Sequence, residues 1–183
     1  FGLSLAERLP RFYHRSCWRL LGIDVEIHGQ ASAARPTLFV ANHSSYLDII
    51  VLGGLVPASF VAKTEVADWP FFGTLAKLQR SVLVDRRVRS TATQRDALLG
   101  RLQAGDNLIL FPEGTSNDGN RVLPFKSALF SVAERQIGGG AVQVQPVSVT
   151  YAGLDGMPLG YGLRPLVAWY GDMALGGHLW TLA

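Results

Sequence analysis

The stretch NHSSYLD, residues 42–48, sets His43 five positions ahead of Asp48. A histidine titrates near neutrality, and a neighbouring carboxylate that binds one ring nitrogen fixes the tautomer and leaves the other nitrogen free to take a proton. Helix-start chemistry explains part of the same stretch. Ser45 suits an N-cap and Asp48 the third helical position, where free amides and the helix dipole favour a carboxylate. His43 is left over by that reading, and a ring just ahead of the cap can swing back onto Asp48. No protein nucleophile accompanies the pair, so the group to be deprotonated is expected to belong to a substrate. Ser44 or Ser45 as the nucleophile of a serine hydrolase is disfavoured, because adjacent residues rarely present their side chains to one another in that geometry and the G-x-S-x-G elbow is absent. The phosphate-loop, dinucleotide and zinc-protease patterns are also missing, and the four histidines are scattered, so no metal is expected.

Two further polar stretches, DRR from Asp85 and PEGTSNDG from Pro112, each follow a short apolar run, as NHSSYLD does. The runs are TLFVA before Asn42, SVLV before Asp85 and NLILF before Pro112, and VQPVSV makes a fourth after a further helix. Strands buried on both faces read as continuous apolar runs, and their alternation with helices implies a single α/β domain with a largely parallel central sheet. In such a sheet, ligands bind beyond the carboxyl ends of the strands, where all three polar stretches fall. A helix is predicted from about Thr91 to Ala104, with Thr91 and Gln94 as a capping box and Gly105 as its stop. IGGGAV reads as a loop, and NDGN, residues 117–120, as a tight turn that accounts for Asp118.

At the amino end, PRFYHRSCWRLL suits a helix with Pro10 at its first position and Arg11, Arg15 and Arg19 aligned along one face beside Phe12, Ser16 and Leu20. Residues 1–22 are expected to form this segment and 23–183 the main domain. A helix lying in a membrane interface and one packed on the domain fit equally well. The aromatic-rich VADWPFFGTLAKL, with Trp69, Phe71, Phe72 and Leu75, reads equally as core and as the lining for an acyl chain. The closing HLWTLA looks like the opening of another helix, and an anchor beyond either end stays open.

The composition sets bounds on these readings. With 183 residues and 48% apolar content the chain can bury a core, and no window reaches the ~18 apolar residues of a spanning helix. Its single cysteine, Cys17, is expected to be a buried hydrophobe in a reducing compartment. A net charge of +3, with arginine dominating the basic residues, suits anionic partners. Nucleic-acid signatures are absent, so no nucleic-acid partner is expected.

Four ordered blocks, NHSSYLD, VLVDRR, FPEGT and VQPVSV, together resemble the 1-acylglycerol-phosphate acyltransferases and their glycerophospholipid acyltransferase relatives. They span residues 42–149. N-H-x4-D alone is a weak pattern; followed by F-P-E-G-T it is highly specific. The resemblance implies an acyltransferase fold and an enzyme that moves a fatty acyl group from acyl carrier protein or coenzyme A to a lysolipid hydroxyl, without a cofactor. It makes His43 the general base, Asp48 its orienter, and Arg86, Glu113, Gly114 and Thr115 the groups that bind the acceptor headgroup. Thr115 is followed here by Ser116 and Asn117, where the family commonly has arginine and serine. Gln79 and Arg80 stand where a glycine usually precedes the second strand. Arg86, Arg87, Arg121 and Lys126 are then expected to supply the charge. Lysophosphatidic acid is the leading acceptor, a lyso-amino-acid lipid such as lyso-ornithine lipid the sister acceptor, and hydrolysis of a lipid or thioester the alternative activity. The expected place of work is the cytoplasmic face of the inner membrane.

Overall fold

The computed structural model describes residues 5–68, 72–84, 91–126, 130, 132–134, 136–137 and 140–182. Its centre is a five-stranded sheet. In chain order the strands are β1 (Thr37–Ala41), β2 (Ser59–Lys63), β3 (Val82–Val84), β4 (Leu108–Leu110) and, later, β7 (Gln143–Val147). They lie in the spatial order β3-β2-β4-β1-β7 with every pairing parallel, as the apolar runs predict.

The two-residue period of a strand divides the core between the two faces of the sheet. Leu38 and Val40 of β1 and Leu108 and Leu110 of β4 point to one side, where they pack with Leu98 and Leu102 of α4 (Thr91–Gln103). Phe39, Ala41 and Ile109 point to the other and meet Leu52 of α2 (Leu47–Leu55), Val56 and Phe60. All five residues of β1 are buried. Pro146 fits within β7 because that strand lies at the edge of the sheet.

One strand is not foreseen in the sequence. β2 lies inside the apolar run that starts at Ile49 and has no polar boundary of its own. The break comes from Pro57, which disfavours helical geometry at Val56; that residue is extended at φ −114° and ψ 139° and ends α2. IGGGAV also differs from expectation. Its flanks form a two-residue antiparallel pair, β5 (Gln136–Ile137) with β6 (Gly140–Ala141). A second small hairpin joins β8 (Gly153–Leu154) to β9 (Met157–Pro158) through Asp155 and Gly156, both at positive φ, as a two-residue Asp-Gly turn requires.

The predicted α4 ends where expected: Gly105 takes φ +83° and returns its amide to the Leu102 carbonyl at 2.9 Å. The side chains of its capping box, Thr91 and Gln94, lie outside the described residues, as does most of the helix expected before β7. α3 (Phe72–Leu78) follows β2, and α5 (Leu175–Leu182) covers the closing stretch that reads as a helix.

α1 (Leu5–Leu20) begins five residues before Pro10, which sits inside the helix rather than at its start. It packs on α2 through His14 and Trp18, which lie over Gly53 and Gly54. Arg11 donates to the Leu55 carbonyl at 3.1 Å and Arg15 to the Gly54 carbonyl at 2.9 Å, satisfying acceptors that the end of α2 leaves open. Two of the three aligned arginines thus face the domain. Leu5, Leu9, Phe12 and Leu20 face outward, each more than 60% exposed. No helix among the described residues is long and apolar enough to cross a membrane.

Candidate active site

Parallel pairing brings the ends of β1, β4 and β7 level: Val40 lies beside Leu110 and Pro146, and Ala41 beside Val147. The loops that follow are therefore neighbours. Asn42 ties two of them together, donating from Nδ2 to the Val149 carbonyl at 2.9 Å and accepting from the Val149 amide at 2.8 Å.

His43 and Asp48 come together as the spacing predicts. Nδ1 of His43 lies 2.8 Å from Oδ2 of Asp48, whose side chain is fully buried. The same oxygen accepts from the Ser44 amide at 2.8 Å and the Ser45 amide at 3.0 Å. The bond from Asp48 back to the Ser45 amide resembles the carboxylate half of a capping box but reaches the residue before the N-cap. The serine half differs from expectation. Tyr46 occupies the N-cap without a side-chain bond, and Ser45 Oγ only receives the Leu47 amide at 3.4 Å. Oδ2 acts as an acceptor toward the two amides, so Nδ1–H is the ring group that donates to it and Nε2 is the ring nitrogen left to accept. No described residue bonds to Nε2. The imidazole face rests on Phe111, with ring centroids 4.1 Å apart and planes at 17°, and Phe111 stacks in turn on Phe60. The ring is thereby held from its face and its Nδ1 edge, with Nε2 presented outward.

Asp48 has one more partner, which no local pattern announces. Tyr151, beyond β7, donates its hydroxyl to Oδ1 at 2.6 Å. Burial, followed by the adjacent Asp48 charge, pushes the Tyr151 phenol well above its ordinary range, so it stays protonated and donates.

Glu113, expected from the family resemblance to meet the headgroup, is 2% exposed and directs both oxygens at its own chain. Oε1 accepts from the His43 amide at 2.7 Å, while Oε2 accepts from Asn117 Nδ2 at 2.7 Å and the Leu123 amide at 2.8 Å. Asn117 also donates to the His43 carbonyl at 3.2 Å and accepts the Gly119 amide at 2.8 Å. It therefore does more than make the tight turn that the sequence suggests. Gly114 takes φ +68°, and the Lys126 side chain crosses it so closely that a Cβ there would lie 2.7 Å from Nζ. Thr115 and Lys126 are exposed beside this turn. Arg86 and Arg87 lie outside the described residues.

An outer ring packs against Tyr46. Its hydroxyl sits 3.2 Å from Nδ1 of buried His178, whose Nε2 faces the Leu166 carbonyl at 3.2 Å, and burial pushes the Tyr46 phenol up to about 12. The Trp169 amide donates to the Ser44 carbonyl at 2.8 Å. Beneath the loops, on the α2 side of the sheet, is a cavity of about 1670 Å³ whose lining includes Ala41, Leu47, Leu52, Val147, Tyr151 and Leu179. Among the described residues, no three His, Cys, Asp or Glu side chains group as a metal site would need.

The arrangement presents the Nε2 edge of an imidazole at the mouth of parallel strands, oriented by a buried carboxylate, where it could take a proton from an incoming hydroxyl. Comparison with known proteins meets this geometry from three directions. Residues 23–150 match the family model described as Acyltransferase. A lyso-ornithine lipid O-acyltransferase of Brucella abortus is 48% identical over 177 residues, covering 94% of this chain and 66% of that protein. A 1-acyl-sn-glycerol-3-phosphate acyltransferase of Neisseria gonorrhoeae is 34% identical, covering 88% of this chain and 60% of its own length. Among solved structures, the 1-acyl-sn-glycerophosphate acyltransferase of Thermotoga maritima superposes with a TM-score of 0.59 at 26% identity, covering 76% of this chain and 55% of that one. The chain thus spans two thirds or less of the length of each of these relatives.

Proposed function

The chain belongs to the acyltransferase family, and from that premise we propose that it moves a fatty acyl group from a thioester to the hydroxyl of a lysolipid. The observation that carries this reading is the His43–Asp48 pair with its outward Nε2. In the proposed reaction Nε2 takes the proton of the lysolipid hydroxyl as that oxygen attacks the thioester carbonyl. The ester C–O bond forms, the C–S bond breaks, and the sulfur leaves as a thiol by taking the proton held on Nε2, which restores the base. Acyl carrier protein and coenzyme A are the two donor classes that present such a thioester.

For the acceptor we favour lyso-ornithine lipid over lysophosphatidic acid, because relatives bearing the first name are 48% and 46% identical and one bearing the second is 34% identical. The exposed Lys126 ammonium over Gly114, together with Arg86, would meet the acceptor's anionic group, with Thr115 beside them. Glu113 is assigned to holding the His43 loop. Substrate and product are both lipids, so the reaction is placed at a membrane surface, and its cytoplasmic face is where acyl carrier protein and coenzyme A thioesters are found.

Purified protein supplied with an acyl thioester and either lysolipid tests the reading. Ester should form with lyso-ornithine lipid faster than with lysophosphatidic acid, and thioester should persist when no acceptor is present. Thioester loss that ignores the acceptor would mean a hydrolase. A preference for lysophosphatidic acid would overturn the acceptor assignment.

A further inference from the structure

Asp48 is the end point of a hydrogen bond that the family motifs do not contain. We propose that Tyr151 is a positioning residue for the His43–Asp48 pair: its hydroxyl, donated to Oδ1 of Asp48, turns Oδ2 toward His43 and draws off part of the carboxylate charge. Asp48 has no contact with solvent, and its two oxygens are unlike. Oδ2 serves His43 and two backbone amides, whereas Oδ1 is held by Tyr151 at 2.6 Å. A carboxylate with one oxygen unheld can swing about its terminal torsion, and that swing would carry Oδ2 away from the imidazole. The Tyr151 hydroxyl opposes it from the loop beyond β7, 103 residues away.

Charge matters as much as angle. The titratable groups at the pair are His43 and Tyr151 on Asp48, Tyr46 beside Tyr151, and Glu113 beneath the His43 amide. A donor on Oδ1 stabilises the anion and weakens its hold on an added proton. His43 must be uncharged to act, so the Tyr151 bond keeps the pair in its working state at lower pH. This inference rests on the acyl-transfer reading only for its kinetic consequence, since the ionisation of His43 can be followed without turnover.

The test is Tyr151→Phe, which keeps the ring and removes the hydroxyl, together with 3-fluorotyrosine incorporated at position 151, a more acidic donor. In Tyr151→Phe the acidic limb of the kcat/KM profile should move to higher pH, because the carboxylate facing His43 regains the charge that the hydroxyl drew off. With 3-fluorotyrosine it should move down. Nitrogen chemical shifts of the His43 ring, followed by NMR through the same pH range without substrates, should move in the same directions. Limbs and ring titrations that stay put in folded variants, or that shift the same way in both, overturn the proposal and leave Tyr151 as packing. If Tyr151→Phe does not fold, the fluorotyrosine protein decides alone. If the unmodified protein transfers no acyl group, the acyl-transfer reading fails, while the ring titration still judges Tyr151.

Discussion

The ring of His14 occupies the space that a side chain on Gly53 would need: a Cβ there would stand 2.5 Å from Cδ2 of the imidazole. The crossing of α1 over α2 is as close as it is because Gly53 and Gly54 contribute no side chains.

Gly53→Ala should therefore destabilise the protein. Overpacking costs roughly 1–3 kcal/mol, which outweighs the ~1 kcal/mol of helix propensity gained. Gly100→Ala, exposed in the last turn of α4 with nothing within 4 Å, gains propensity without the clash and should stabilise by up to about 1 kcal/mol. Urea midpoints of the two variants should move in opposite directions, and a shared direction would refute the packing argument.

His14 also predicts a pH dependence. Burial holds its imidazole below the ordinary 6.5, with the Gln79 hydrogen bond pulling the other way. As pH falls past about 6.5, the unfolded chain takes up this proton before the folded one does. Stability is full above that pH and is lost as pH falls toward the folded value. Replacing His14 with Gln should flatten this dependence between pH 7.5 and 5.5 in urea titrations; an unchanged slope would show that His14 does not titrate with unfolding.

His43→Ala should reduce acyl transfer by about 10²- to 10⁴-fold, the usual worth of a positioned base, with the fold intact. Asp48→Asn should lose both activity and stability. Its amide nitrogen would face either the Ser44 and Ser45 amides or the Tyr151 hydroxyl, stranding buried donors at about 1–3 kcal/mol. Rates beside melting temperatures distinguish the two effects, and wild-type turnover in His43→Ala would sink the assignment.

Attachment to anionic vesicles should depend on the outward stripe of α1. Changing Leu5, Leu9, Phe12 and Leu20 together to serine should release the protein at little cost in stability, since all four are exposed. Arg11→Gln with Arg15→Gln should instead lower the melting temperature, because these side chains hold the Gly54 and Leu55 carbonyls. Vesicle binding that survives the serine changes would place the membrane contact elsewhere.

What the sequence discloses depends on how far apart the partners are. β1 and β4 are legible because strands covered on both faces need unbroken apolar runs, and the His43–Asp48 bond is legible because it spans one helix start. β2 is hidden because its apolar residues continue those of α2, and only Pro57 separates them. The inward turn of Arg11 and Arg15 is invisible for a related reason: four-residue spacing aligns them without saying which side the domain lies on. Glu113 and Tyr151 are harder still. Nothing near Glu113 indicates that its partners are the His43 amide and Asn117, and nothing near Tyr151 points to a carboxylate 103 residues earlier.

The Asn42 bridge to Val149 joins residues 107 apart, and β1 finds its neighbours only in β4 and β7. A chain emerging from the ribosome therefore carries His43 and Asp48 with no neighbour for β1 until β4 has been made, and without the Val149 and Tyr151 bonds until the segment after β7 follows. Base and orienter are made early but become a working pair only when β7 and Tyr151 dock, so folding is governed by late, long-range closure. Partly made chains would hold an untethered imidazole with little power to attack thioesters, and competence would arrive together with the completed sheet.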